Sequence, residues 1–500
     1  MALNIGSILK DRAIMMGDKV GFVHHDLKLT FEEMNNRANS FSSYLSEVGL
    51  QAGDTIAILC KNNEQAISAF FGAAKIGVLS VMVNWRLGAE ELQYILTHSE
   101  AKLIVHDEAF QLVIEELKET IPAVHYLSSA TVPSFDEIWQ RKAVEPSYVS
   151  VGDDPILIMY TSGTTGKPKG ALLSHDNLLA ASIGLSHTID WRETDRFLMV
   201  APFFHIGGLA PLITNVHTGA TMVLMEDFDP IKAWNIIEAE RITTMMTVPA
   251  MLAYLLKTYS AAKADISSIR NNTCGSSVVP APLILGFREM GIPVQQVYGI
   301  TEYAGAVTFW KETQNRDKYD SMGKPVMHGT VRVVDTETRK TLPNGKIGEI
   351  IIGGPQVFVG YYKNEEAYKS AVIDGELQSG DVGYIDEGGF LYVVDRLKDV
   401  IISGGENIYA AELEQVLAQH PAVVDVAVIG ALNEKWGEVP RAYVVRVPNA
   451  DLTEQDVMNY SKKKLASFKA IKEVTFVDEL PRNAVGKILK NRLKETAALS

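Results

Sequence analysis

Residues 160–170 read YTSGTTGKPKG, directly after PILIM at 155–159. The stretch holds three glycines, four hydroxyl side chains besides the tyrosine, two lysines and one proline. Nothing in it can fill a core. PILIM has the unbroken apolar run of a buried strand. A buried strand that opens into small polar residues suits an anion. Glycines let backbone N–H groups approach closely, and hydroxyls add donors. Lys167 and Lys169 add positive charge. The segment does not fit the Walker A pattern, G-x-x-x-x-G-K-[ST], because the required residues do not line up. The same residue types also build an ordinary surface turn, so the wider sequence has to decide.

Outward from this loop the chain alternates strands and helices. TIAIL at 55–59 is a short apolar run, and Ala66, Phe70, Ala73 and Ala74 then recur at helical spacing over 64–76. VLSVMVN at 78–84, a helical stretch near 88–99, and LIVHD at 103–107 continue the order. It predicts an α/β fold, with helices flanking largely parallel sheets. Proline and polar residues over 121–154 predict a loose connection. Uncharged residues 197–225 include Pro202 and Pro211 and read as buried strands and turns, not as a membrane span.

The style changes late in the chain. GEIIIGG at 348–354 and GFLYVVDRLKDVIISGG at 389–405 are β-rich and punctuated by glycine. Tyr409, Leu413, Val416 and Leu417 then share a helical face; VAVIG at 426–430, AYVVRV at 442–447, a helix from about Thr453 and VTFV at 474–477 follow. This predicts a compact α+β unit of about 100 residues, a normal domain size. The expected organisation is a large N-terminal domain over 1–395, a hinge at 396–398 and a small C-terminal domain over 399–500.

Composition narrows the function. The 500 residues are 47% hydrophobic and 22% charged, an ordinary globular balance. A net charge of −14 argues against a general nucleic-acid binder, which needs surplus Lys and Arg. Cys60 and Cys274 are the only cysteines, too few for a disulfide framework or a zinc-cysteine site, so a reducing, cytoplasmic setting is expected. The N-terminus is interrupted by charges and lacks a signal-peptide core.

Further motifs accompany the opening loop: PFFHIGG at 202–208, VYGITEYAG at 297–305, SGD at 379–381, DRLKD at 395–399, GGEN at 404–407 and PRNAVGK at 481–487. Their identity and order resemble the adenylate-forming superfamily of acyl-CoA synthetases, aryl-CoA ligases, luciferases and peptide-synthetase adenylation domains. The resemblance spans essentially the whole chain, and it is greatest to compact bacterial fatty-acyl-CoA ligases. It implies two half-reactions. A carboxylate attacks the α-phosphate of ATP to give acyl-AMP and pyrophosphate; a thiol, usually that of coenzyme A, then displaces AMP. Joining two anions makes charge neutralisation the main catalytic need.

The resemblance also implies roles for residues. Thr161, Ser162, Gly163, Thr164, Thr165, Gly166 and Lys169 would hold the ATP phosphates. Glu302 and Thr161 would bind Mg2+, a hard cation suited to oxygen ligands, with Thr301 beside the α-phosphate. Tyr298 and Gly299 would flank adenine, with Gly275, Ser276 and Ser277 lining the same pocket; Val278 departs from the family pattern, in which proline is common. Asp381 and Arg396 would bind the ribose. Lys487, in P-x-x-x-x-G-K, would reach the acyl carboxylate and α-phosphate during adenylation, as a compact point charge. Lys398 matches the hinge, about which a mobile C-terminal domain would rotate to bring Gly404 and Gly405 toward the coenzyme A tunnel.

For the acid, His205 stands where amino-acid-activating relatives carry Asp to pair the substrate ammonium, so an amino acid is disfavoured. His205 is also a catalytic candidate. Met245, Met246, Val248, Val307 and Phe309 are apolar pocket candidates, although such residues equally build cores. Tyr303 is bulkier than the small residue many relatives place there, which would shorten the tunnel. The expected substrate is an aliphatic acid of medium to long chain. An aryl or short-chain acid, and a carrier-protein acceptor in place of coenzyme A, stay open, as do a luciferase-like oxygenase and an inactive acyl-binding protein. The expected partners are small molecules, with no nucleic acid and no transmembrane segment; a homodimer is compatible with the resemblance.

Overall fold

In the computed structural model, residues 3–121, 124–141, 144–161, 167–404, 406–433, 435–482 and 488–498 are described. The chain divides into two compact units. The larger comprises 1–331, 351–378 and 389–391; the smaller comprises 332–350, 379–388 and 392–500. The division runs inside strands Thr330–Val334, Gly348–Gly353, Glu376–Ile385 and Leu391–Arg396, and not at one point in the chain.

The larger unit holds two helix-flanked sheets. The seven-stranded one runs Gly360–Tyr361, Lys169–Ser174, Pro155–Thr161, Leu79–Met82, Thr55–Leu59, Ala101–His106 and His125–Leu127. Its pairs are parallel from Pro155–Thr161 outward to His125–Leu127. PILIM is therefore a central strand, with residues 156–159 buried. The nine-stranded sheet contains the parallel set Val294–Ile300, Asn271–Cys274, Thr244–Thr247, Arg196–Met199, Thr221–Leu224 and Val20–His24, in that order.

Local chemistry fixes the helices between these strands. Asn63 caps helix Glu64–Lys75 by accepting from the Ala66 N–H. Ser174 and Asn177 form a reciprocal cap on helix His175–Thr188; such a cap is worth about 1 kcal/mol. Phe70, Ala73 and Ala74 are fully buried, as their spacing predicts. The reading of 197–225 as strands and turns is corrected by a helix over Ile206–Thr218, with Pro211 inside it. Almost every side of that helix is buried, so no polar stripe marked its period. The loose connection over 121–154 carries a strand, His125–Leu127, and a short helix, Phe135–Trp139.

The smaller unit packs helices on a five-stranded sheet. Strands Glu406–Tyr409, Val400–Ser403, Gly437–Arg446 and Val423–Asn433 lie in that order, and Glu473–Phe476 adds to Gly437–Arg446. Leu413 and Leu417, on helix Ala410–Leu417, bury against Ile401, Val428 and Val444. Helix Glu454–Lys464 starts at a Thr453 cap, where the sequence placed it. Among the described residues, no helix is long and apolar enough to cross a membrane.

Candidate nucleotide and acyl site

Parallel strands deliver side chains to one edge of a sheet, and α/β folds bind ligands beyond the carboxyl ends of such strands. In the nine-stranded sheet the candidate residues lie beyond those ends. Gly275 to Ser277 succeed strand Asn271–Cys274, Val248 succeeds Thr244–Thr247, and Thr301–Tyr303 form a short turn after Val294–Ile300. His205 caps helix Ile206–Thr218 beyond strand Arg196–Met199. Thr161 ends the central strand of the other sheet.

Thr161 and Glu302, 141 residues apart, come together: Thr161 Oγ1 lies 3.5 Å from Glu302 Oε1. Neither is fully buried, so both can reach a ligand. The Tyr361 hydroxyl donates to the same Glu302 oxygen at 2.8 Å. The Phe358 N–H donates to the Glu302 carbonyl at 2.9 Å, which fixes the backbone as well. Burial raises the Tyr361 phenol above its ordinary pKa, and the Glu302 charge raises it further, so it stays a donor. A carboxylate with one oxygen oriented by a phenol, next to a threonine hydroxyl, is the hard-oxygen donor set that fits Mg2+.

The strands on either side of the opening loop pair directly. Thr161 pairs with Lys169, and Tyr160 with Gly170, in an antiparallel ladder. The Tyr160 hydroxyl contacts His98 Nδ1 at 2.7 Å. Lys169 Nζ lies 5.4 Å from the Tyr361 ring centroid, and a recess lined by both residues and Asn364 opens beside them. Lys167 sits over Tyr94. Ser162, Gly163, Thr164, Thr165 and Gly166 lie outside the described residues, as do Gly405 and Lys487.

Small residues elsewhere at the site answer to close approach. A Cβ on Gly275 would meet Val297 Cγ1 at 2.4 Å, and one on Gly299 would meet the Gly305 carbonyl oxygen at the same distance. Ser276 adopts a left-handed φ of 74°, and Ser276, Ser277 and Val278 are all exposed. The turn thus stays open to solvent with valine in the family's proline position. Tyr298 lies partly exposed in the strand beside it.

The acyl candidates divide. Met245, Tyr303 and Val307 are at most 1% exposed. The Tyr303 hydroxyl donates to the Gly353 carbonyl at 3.0 Å, which holds the ring in place. Val248 is partly exposed at the start of helix Pro249–Ala262. His205 Nδ1 accepts from the Gly207 N–H at 3.0 Å, so this nitrogen is deprotonated and acts as a helix cap. Phe203 is buried, with its N–H donating to Asn62 Oδ1 at 3.0 Å.

In the smaller unit, Asp381 and Arg396 form an ion pair, Arg396 Nε to Asp381 Oδ1 at 2.7 Å. The Asp381 side chain is 4% exposed and that of Arg396 38%, so the arginine is the accessible member. Lys398 lies in a single turn, Leu397–Asp399, where its carbonyl accepts from Lys494 Nζ at 3.1 Å. Burial lowers the Lys398 pKa. Gly404, at φ 60°, packs on Trp436; a Cβ there would come within 2.9 Å of the indole. Sequence reading missed Tyr361, Phe358 and Asn62. Strand Gly360–Tyr361 runs antiparallel beside Lys169–Ser174, with Tyr361 opposite Ala171. Only the aromatic pair after Gly360 could have hinted at it.

The chain resembles known proteins over nearly its whole length. The AMP-binding enzyme family matches residues 9–362, and the AMP-binding enzyme C-terminal domain matches 412–487. The chain is 35% identical over 490 residues to a 2-succinylbenzoate–CoA ligase of Bacillus mycoides, covering 97% of this chain and 98% of that one. It is 36% identical over 496 residues to the long-chain-fatty-acid–CoA ligase FadD13 of Mycobacterium tuberculosis, covering 98% of each. The solved O-succinylbenzoate coenzyme A synthetase (MenE) of Bacillus subtilis, in complex with ATP and magnesium ion, superposes with a TM-score of 0.88 at 32% identity, covering 99% of this chain and 100% of that one.

Proposed function

The chain belongs to the AMP-binding enzyme family and is an AMP-forming acid–CoA ligase, and we propose that Thr161 and Glu302 organise its ATP for attack by a non-amino carboxylic acid. The observation that carries this assignment is the convergence of Thr161, Glu302 and Tyr361 at the strand ends. Mg2+, held by Glu302 and Thr161, would neutralise phosphate charge. Lys169 and the loop over 162–166 add donors and positive charge at the phosphates. Thr301 lies one residue from Glu302, where its hydroxyl serves the α-phosphate. Tyr298, Gly299 and Gly275 to Ser277 take the base, and Asp381 and Arg396 take the ribose. Lys487 supplies the point charge between acid and α-phosphate, and Lys398 is the hinge residue.

For the acid, an aliphatic chain of medium to long length is the first reading, supported by the identity to the long-chain-fatty-acid ligase. An aryl acid is the second, supported by the identity to the 2-succinylbenzoate ligase and by the fixed, fully buried Tyr303 ring. In either case His205, spent on a helix cap, offers no carboxylate to an amino-acid ammonium. Pyrophosphate release over a panel graded in chain length and ring content tests this. The first reading expects the highest kcat/KM with saturated chains, the second with ring acids. Turnover best with amino acids would overturn both.

A further inference from the structure

We propose that His24, His25 and Glu226 form a separate binding site for a divalent transition metal of the zinc class, at the far end of the same strand edge. This goes beyond the ligase reading and uses none of its residues. His24 ends strand Val20–His24, and Glu226 lies two residues beyond strand Thr221–Leu224. The two strands pair in parallel, with His24 opposite Leu224. That register carries Glu226 alongside the two histidines. His25 takes a left-handed φ of 51°, and its ring lies 4.5 Å from that of His24.

The donor atoms already converge. His24 Nε2 is 3.1 Å from Glu226 Oε1, and His25 Nε2 is 3.8 Å from the same oxygen. All three donors lie within 4.8 Å of one another. Tetrahedral zinc, with bonds of about 2.0–2.1 Å, sets its ligands about 3.4 Å apart. Small rotations of the rings therefore suffice. An outer group is also in place: His24 Nδ1 hydrogen-bonds Glu64 Oε2 at 2.7 Å. Metal-bound histidines typically use such a carboxylate to fix tautomer and ring orientation. The proton shared between His24 Nε2 and Glu226 would pass to solvent as the ion enters.

Burial grades the cluster. The His24 and Glu64 side chains are 13% and 15% exposed, Glu226 is 33% exposed, and His25, at 76%, faces solvent and marks the entry side. Lys61 is a nearby competing cation, but it lies 3.9 Å from Glu226 and pairs more closely with Asp227. Two imidazoles and one carboxylate favour zinc over Mg2+, which prefers oxygen donors. An ion here would tie the end of strand Val20–His24 and the exit of strand Thr221–Leu224 to helix Glu64–Lys75. Next to that helix, Asn62 holds the Ala201 carbonyl and the Phe203 N–H. The expected consequence is added stability.

The test is zinc titration of the full chain after chelator treatment, by calorimetry and thermal melting. One zinc per chain should bind and raise Tm, as any ligand of the native state does. His25→Asn, which tolerates the left-handed backbone, and Glu226→Gln should each weaken binding at least about tenfold, and Glu64→Gln about tenfold. Glu302→Gln should bind zinc normally, and His25→Asn should retain Mg2+-dependent pyrophosphate release. No zinc binding, binding unchanged in both His25→Asn and Glu226→Gln, or binding lost in Glu302→Gln would overturn the site.

Discussion

Tyr361 shows what a single residue would add to the proposed nucleotide site. Its hydroxyl holds one Glu302 oxygen at 2.8 Å and leaves the other to be aimed at a cation. Loss of such an outer partner weakens metal sites about 10–100-fold. Tyr361→Phe should therefore raise the Mg2+ concentration for half-maximal adenylation about tenfold, with kcat at saturating Mg2+ nearly unchanged. An unaltered Mg2+ dependence would remove Tyr361 from the site. Lys487→Ala tests the other end of the proposed chemistry. Adenylation should slow at least about 100-fold, the effect of losing one preorganised charge-stabilising donor, while thioester formation from supplied acyl-AMP changes much less. Equal loss in both half-reactions would refute that role. Glu302 could be singled out as a candidate because YGITE is a contiguous motif. Tyr361 was not, since its partner lies 59 residues away and only the ladder beside Lys169–Ser174 brings it near.

Elements explain how the loop's supporting sheet is anchored. His175, the first residue of helix His175–Thr188, accepts from the Ile5 N–H through Nδ1 at 3.0 Å and contacts Ser150 Oγ through Nε2 at 3.1 Å. Protonation would place an N–H against an N–H, and burial pushes the imidazole pKa down from 6.5 to about 4. The unfolded chain then binds more protons than the native one between these values, so stability is complete above pH 6.5 and declines as pH falls toward 4. The predicted loss is about 3 kcal/mol at most, at 1.36 kcal/mol per pKa unit. Denaturant melts of His175→Gln should show a flatter stability profile in this pH window than the parent. Parallel profiles would contradict the account. At this scale, short strands such as TIAIL were legible from their apolar runs. The helix Ile206–Thr218 was not, because burial on nearly all sides erased its periodicity.

The whole molecule joins two units, and the α/β order of the larger and the α+β character of the smaller could both be read from residue patterns. The division between them could not. A linear sequence suggests one boundary near residue 396, whereas residues 332–350 and 379–388, including Asp381, belong compactly with the smaller unit. Lys398, in the single turn Leu397–Asp399 of that unit, is the proposed hinge. Lys398→Pro, which restricts the backbone there, should spare one half-reaction and impair the other; two normal half-reactions would dismiss the hinge. The central claim is that Thr161 and Glu302 organise ATP for attack by a carboxylate. Its most direct test is exchange of labelled pyrophosphate into ATP without coenzyme A. The predicted result is exchange that requires both a carboxylic acid and Mg2+ and falls about 100-fold in Glu302→Gln; exchange that proceeds without acid, or at the parent rate in Glu302→Gln, would contradict it.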